Sequence, residues 1–496
     1  MTVTETAIRS RVRPTKTGSA LIAALLLLSG SETFRLDAYA QPSAQKPHKA
    51  QVILDRWIKR PKLKGLKLGV SLAHLQSPHI RAENDAKTLY NPASGTKLLT
   101  TAAAMLAWKA EKRFATRIHG AVDNEGLIND GLWIVGGADP QLGSKDLDAL
   151  ASTLRTRGVQ RIKGPLRIHA SIFDGENLPP AYGQKDTTSS YRASTGAFGV
   201  DFAGVTLKIV SPRRGAHPTI TLSSALGYAV VDNQAILTDG RESKLTYKLT
   251  SLPSGKMKIT IDGKVGRKHP TFTHRVRMLD PNLGAGHLFQ HLLRQRGIVV
   301  RGPVVITRAH VPASLPVLGE HFSPRLHDIL KDMNTFSNNF MAETVFKHLG
   351  MGKQPADWKS AQEAVSKSMT DLGLKKDSFR IVNGSGLYRA TTISPRGMVT
   401  LLTEVSKRDT LATAFRSTLA VSGRPGTLEK RLRGWLRGRI MGKTGTLNEV
   451  VSLSGYLRTK TLGMLAFAIF INDATPARTA TLRREIDRLI ASWARL

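Results

Sequence analysis

NPASGTKLLTTAAAMLAW, residues 91–108, joins a turn at Asn91-Pro92 to a run of good helix formers. It predicts a helix from Lys97 to Trp108 that Ser94 opens. A serine three residues ahead of a lysine at a helix start puts both side chains on one face, so the Lys97 amine can reach the Ser94 hydroxyl. An ordinary lysine is protonated at neutral pH, so Lys97 must be desolvated or crowded by another cation before it can act as a base. The helix N-terminus favours negative charge developing beside Ser94. Taken alone, the same residues describe a helix cap and a surface lysine.

Just upstream, Leu66, Leu68, Val70 and Leu72 alternate with other residues through KLGVSLAHL, the pattern of a half-buried strand. Downstream, from about Phe114 to Phe272, short strand-like pieces such as LWIV, PLRIHA and TLKIV are separated by Gly, Pro and Asp turns, which predicts a β-rich insertion. Between Val205 and Val265 the pieces TITL, YAVV, KLTYKL and KMKITID suggest a smaller all-β unit nested inside it. Helical patterning returns at His287–Gln295, Arg325–Leu349 and Trp358–Leu372. The chain then reads as strands at Gly442–Thr444, Val451–Arg458 and Met464–Ile471, with a helix after Pro476. Leu482, Ile486, Leu489, Ile490 and Trp493 share one face of that helix and predict packing on a sheet rather than on a membrane. The division expected is 1–40 signal peptide, 41–113 and 273–496 the two parts of one domain, and 114–272 an inserted accessory region with its nested unit at about 205–265.

Two further motifs accompany Ser94-Gly95-Thr96-Lys97. Ser337-Asn338-Asn339 lies in MNTFSNNFMAETVF, which opens onto a helix, where a hydroxyl and an amide can line a cleft. Lys443-Thr444-Gly445-Thr446 begins a strand, where a lysine and a hydroxyl can hold a carboxylate and Gly445 lets a substrate backbone come close. Each alone is weak, as a capping cluster or an edge-strand lysine would look the same. All three together, in this order and each in its expected local structure, form the S-x-x-K, S-x-N, K-T-G set of acyl-transfer enzymes.

Composition bounds the setting. Lys and Arg total 73 against 37 Asp and Glu, a net charge of +36, which calls for an anionic neighbour, nucleic acid or an envelope polymer. The N-terminus favours the second: Arg9, Arg11, Arg13 and Lys16 precede the apolar stretch Ala20–Leu28, and Ala38-Tyr39-Ala40 offers a small-x-small cleavage site. Cleavage before Gln41 is expected, with an earlier cut near Ser31 or an uncleaved anchor as alternatives, and the product is placed outside the cytoplasm, periplasmic or extracytoplasmic. The absence of cysteine excludes disulfides, thiolate metal sites and a cysteine nucleophile. His287 and His291 stand four apart on a helix, but Leu288 replaces the glutamate of a zinc-protease motif, so no metal is expected. The basic run KRLRGWLRGR at 430–439 carries Trp435; it is read as a solvated flank, and no nucleic acid is expected.

From about residue 50 to the end the chain resembles the class C low-molecular-mass penicillin-binding proteins, the DacB-like D-alanyl-D-alanine carboxypeptidase/endopeptidase family. NPASGTKLLT, GGADPQL, Tyr191 with Ala193, FSNNFMAE, NGSGLYR and MGKTGTL carry the likeness, with the 243-residue interval from Ser94 to Ser337 its most specific feature. The resemblance implies an α+β fold of the penicillin-binding/serine β-lactamase type, an antiparallel sheet flanked by helices, with a large β-rich insertion forming one or two accessory domains. It implies hydrolysis of terminal D-alanine or of peptide cross-links in peptidoglycan, inhibition by β-lactams, and no cofactor. It assigns Ser94 as nucleophile, Lys97 as base and Ser337 as proton relay. Asn339, Lys443, Thr444, Gly445 and Thr446 would bind substrate, with the Ser94 and Thr446 N–H groups as oxyanion donors. Where the family reads Ile-Asp, this chain has Ile168-His169, so the carboxylate that would greet a substrate amine is replaced; Pro180-Ala181-Tyr182-Gly183, Ala203 and Asn383 are further departures. A β-lactamase and a catalytically weak peptidoglycan-binding scaffold are the rival readings.

Overall fold

The computed structural model describes residues 48–77, 81–352 and 355–496. The expected signal peptide lies outside the described residues. The central sheet has six strands: β1 (Lys67–His74), β2 (Arg81–Asn84), β3 (Ala420–Val421), β4 (Ile440–Leu447), β5 (Val450–Arg458) and β6 (Met464–Asn472). Their order is β2-β1-β6-β5-β4-β3, and every neighbouring pair is antiparallel. The strand predicted from alternation at Leu68, Val70 and Leu72 thus pairs along its full length with the last strand of the chain. Both its faces are covered: Val70, Ser71 and Leu72 are all buried.

One face packs against α1 (Lys49–Ile58) and a C-terminal helix at Thr479–Trp493. Leu482, Ile486, Leu489, Ile490 and Trp493 are all buried, so the amphipathic face meets the sheet as its pattern predicts. The other face carries a helical lobe that includes α2 (Lys97–Ala107), α3 (Leu326–Phe336) and α4 (Asn339–Leu349). The patterning at Arg325–Leu349 reads as one helix, but the structure breaks it. Ser337 takes a left-handed backbone (φ 60°), and the Asn338 side chain accepts from the Met341 N–H at 3.1 Å, capping α4. Local hydrogen bonding by Asn338 wins over periodicity, and the break turns Ser337 out of the helix.

Apart from a two-stranded sheet of Phe379–Arg380 and Thr392–Ile393, the remaining strands lie between Ala115 and Phe322. A five-stranded sheet has the order Val304–Thr307, Leu166–His169, Leu132–Val135, Ala115–His119, Val317–Phe322. A three-stranded sheet is centred on Gly204–Val210, and a four-stranded one on Met257–Gly266. All three contribute to one hydrophobic core, separate from the two that sandwich the central sheet. Strands at 299–300, 304–307 and 317–322 pair back to strands before residue 170.

Trp493 is wholly buried and its indole N–H donates to the Ala50 carbonyl at 3.1 Å, joining the last helix to the first. Trp493→Ala should cost about 3–5 kcal/mol, the usual range for emptying a large aromatic site. The check is the midpoint of urea denaturation followed by far-UV circular dichroism.

Candidate active site

The turn before α2 is held from several sides. Asn91 accepts from the Ala93 N–H at 2.7 Å and donates to the Tyr388 carbonyl at 2.9 Å. Ala93 adopts a left-handed backbone (φ 47°), and Ala93–Thr96 forms a 3-10 turn leading into α2. The Ser452 hydroxyl of β5 donates to the Pro92 carbonyl at 2.7 Å, tying the turn to the sheet. Gly445 of β4 faces the same turn. A Cβ there would lie 2.4 Å from the Pro92 oxygen and 2.2 Å from Ser452 Oγ. The glycine is therefore required for the strand to approach the turn, whereas the motif alone suggested room for a substrate.

Ser94 makes no helix cap. Its hydroxyl accepts from Lys97 Nζ at 3.1 Å, as the three-residue spacing predicts. Lys97 is completely buried, and Nζ also donates to Asn339 Oδ1 at 2.7 Å and to the Ser385 carbonyl at 2.9 Å. Loss of solvent pushes its pKa down to about 7, against an opposing pull from the Glu343 carboxylate. Burial rather than crowding by Lys443 produces this. The repulsion is felt on Lys443, which burial and the nearby Lys97 charge together hold well below the usual lysine range.

Lys443 is also fully buried, and its Nζ donates to Ser337 Oγ and to the Thr444 carbonyl, both at 2.8 Å. Its side chain is thus engaged with Ser337 and out of reach of solvent, whereas the hydroxyls of β4 lie nearer the surface. Thr444 is partly exposed and Thr446 exposed, on the part of β4 beyond its short pairing with β3. Asn339 is engaged at both ends of its amide, since Nδ2 donates to the Tyr191 carbonyl at 2.9 Å. The structure thus gathers the motif residues into two hydrogen-bonded groups, Lys97 with Ser94 and Asn339, and Lys443 with Ser337, with Gly445 against the turn that carries Ser94 and Thr444 and Thr446 at the edge.

Motif reading missed the layer below. Glu343, one turn along α4 from Asn339, is wholly buried and accepts the N–H groups of Gly384 (2.9 Å) and Ser385 (2.8 Å). Desolvation raises its pKa while these donors oppose the rise. Since the Ser385 carbonyl holds Lys97, Glu343 positions the amine through one peptide unit. Tyr182 reaches in from the insertion, bonding Ser385 Oγ at 2.9 Å and Glu343 at 3.3 Å. The segment Pro180–Gly183 therefore supplies a structural tyrosine. The quoted FSNNFMAE contained the only sequence signal for Glu343, a glutamate four residues after Asn339 on one helix face.

The other departures resolve separately. His169 Nε2 bonds Ser171 Oγ at 2.7 Å at the end of an accessory strand. In the insertion, Asp186 pairs with Arg192 at 3.2 Å, and Arg192 follows the Tyr191 whose carbonyl meets Asn339. Asn383 donates to the Pro180 (3.0 Å) and Leu387 (3.3 Å) carbonyls and accepts from the Gly386 N–H (2.9 Å). Only an amide can serve that mixed set, because a carboxylate would face two carbonyl oxygens. Ala203 is buried in the accessory core. His287 is buried in the accessory region, stacked on Tyr228.

Residues 50–493 match the family described as D-Ala-D-Ala carboxypeptidase 3 (S13). A D-alanyl-D-alanine carboxypeptidase of Actinomadura sp. (strain R39) is 30% identical across 97% of this chain and 93% of its own length. The D-alanyl-D-alanine carboxypeptidase DacB of Haemophilus influenzae is 24% identical across 82% of this chain and 86% of its own. The crystal structure of penicillin-binding protein 4 (dacB) from Haemophilus influenzae superposes with a TM-score of 0.77 at 22% identity, covering 90% of this chain and 99% of that one. The same protein complexed with a β-lactam gives 0.73.

Replacing Glu343 by Gln keeps the shape but turns one acceptor into a donor facing a backbone N–H. A buried group left without its partner costs about 1–3 kcal/mol. Glu343→Gln should lower the thermal midpoint and slow covalent labelling of Ser94 by benzylpenicillin, checked by differential scanning fluorimetry and time-resolved intact mass.

Proposed function

The chain belongs to the D-Ala-D-Ala carboxypeptidase 3 (S13) family, and from that premise we propose a residue-level course for its reaction. It is a serine-type D-alanyl-D-alanine carboxypeptidase that acts on peptidoglycan and binds β-lactams. The observation that carries the proposal is a completely buried Lys97 amine 3.1 Å from the Ser94 hydroxyl.

Neutral Lys97 takes the Ser94 proton as Oγ attacks the carbonyl carbon of the penultimate D-alanine. The resulting oxyanion is met by the backbone N–H groups of Ser94 and Thr446. The C–N bond then breaks as the proton that Lys97 took from Ser94 passes by way of the Ser337 hydroxyl, which Lys443 holds at 2.8 Å, to the departing D-alanine amine, leaving Lys97 neutral again. Water attacks the Ser94 ester with Lys97 again as base, releasing the shortened peptide. Asn339 keeps Lys97 aimed at Ser94, and the hydroxyls of Thr444 and Thr446 receive the terminal carboxylate.

The two parts 41–113 and 273–496 are read as one catalytic domain interrupted by the accessory insertion 114–272. Location outside the cytoplasm is proposed from the substrate; among the described residues no helix is long and apolar enough to cross a membrane. An anionic envelope polymer is proposed as a further partner. Exposed Trp435, with Arg439, Lys460 and Arg495 within 6.0 Å of its ring, offers a basic face suited to it.

Incubation with benzylpenicillin should add one drug mass to the parent and none to Ser94→Ala. Because the base form of Lys97 accumulates above its pKa, the labelling rate should climb as pH rises through about 7 and level off beyond it. Lys97→Arg, a permanent cation, should remove both the labelling and its pH dependence. Labelling of Ser94→Ala equal to the parent would sink the assignment.

A further inference from the structure

A peptide ending in a free carboxylate needs a countercharge, and the lysine of the Lys443-Thr444-Gly445 motif is poorly placed to give one. Lys443 Nζ has no solvent exposure, and its bonds go to Ser337 Oγ and the Thr444 carbonyl. Moving it to a carboxylate would abandon Ser337.

The cations around the far end of β4 differ in their partners. Arg389 is paired with Glu449, in the β4–β5 turn. Arg431 is paired with Asp487 at 2.7 Å. Arg483, on the C-terminal helix, forms no ion pair among the described residues. Its Nη2 instead donates to the neutral Thr446 hydroxyl at 2.9 Å, and the residue remains exposed. The Arg431 and Asp487 charges act on Arg483 through space, but Asp487 is bonded to Arg431, and the Arg483 guanidinium itself donates only to a hydroxyl, so its remaining N–H donors retain capacity for an anion. The anchoring hydroxyl belongs to the last residue of the motif strand. Any carboxylate accepting from that hydroxyl at ordinary length comes within about 6 Å of the guanidinium, close enough for direct or hydroxyl-bridged pairing.

We infer that Arg483 is the specificity-determining cation for the substrate's terminal carboxylate, acting at and through Thr446 Oγ1. The inference rests on the reading of Ser94 and β4 given above. It extends the site to a helix outside all three motifs, packed on the opposite face of the sheet from α2 and α4. Lys443 is left to serve Ser337, which separates proton transfer from recognition of the chain end.

The test compares Ser94 acylation by benzylpenicillin, which carries the equivalent carboxylate, with acylation by its methyl ester, which does not, each followed by intact mass. In Arg483→Gln the second-order rate with benzylpenicillin should fall on the order of tenfold to a hundredfold, the worth of a hydrogen bond to a charged group. The ester's rate should stay unchanged, so the preference for the free acid collapses. Arg483→Lys, which keeps the charge but loses the planar fork, should fall between. Equal loss with both compounds, or no loss with either, would overturn the inference while leaving the Ser94 assignment intact. A parent protein that forms no adduct with either compound would overturn the underlying reading and this inference with it.

Discussion

A lysine amine with no access to water ties together three of the segments that form the site. Lys97 joins the nucleophile turn through Ser94, the second helix through Asn339 and the 383–388 loop through the Ser385 carbonyl. Burying a charged nitrogen is costly, which both calls for hydrogen-bond partners and eases the loss of its proton. Three acceptors satisfy it, and desolvation lowers its pKa to about 7. Lys97 can thereby exchange its proton near neutral pH, at the expense of bringing three distant stretches of chain together around one nitrogen.

The supporting layer explains how that demand is met. Glu343 clamps the backbone that presents the Ser385 carbonyl, and Tyr182 closes over the same carboxylate from the inserted region. Asn383 in turn holds the Pro180 carbonyl, two residues from Tyr182. The insertion is thus joined to Lys97 by a short path of hydrogen bonds. A change at Pro180–Gly183 acts on Lys97 through Glu343 and Ser385, without touching substrate.

Local pattern was a good guide wherever local energy decided. Alternation at Leu68, Val70 and Leu72 describes β1, and the apolar face of the last helix is the face that packs. The pieces TITL, KLTYKL and KMKITID are all strands. The break between α3 and α4 was only partly legible: the apolar spacing runs through it, while the Ser337-Asn338-Asn339 cluster, read as opening onto a helix, marks its place. The cap made by Asn338 and the left-handed Ser337 produce it. Nor could motif spacing tell that Gly445 is spent on the Pro92 turn, or that Lys443 points at Ser337.

Residue type and order by themselves determined the chemistry available: a serine and lysine on one helical turn, a hydroxyl and amide ahead of a second helix, and a strand of lysine, threonines and glycine. They also determined the family, because the motifs and the long interval between them are properties of the linear chain. Tertiary structure alone decided the charge state of Lys97, the partner of Lys443, the positioning role of Glu343 and the proximity of Arg483 to Thr446. Those properties depend on solvent exclusion and on distances between residues tens to hundreds of positions apart in the chain. No local window contains them, for they arise only when the sheet, the helical lobe and the insertion close on one another.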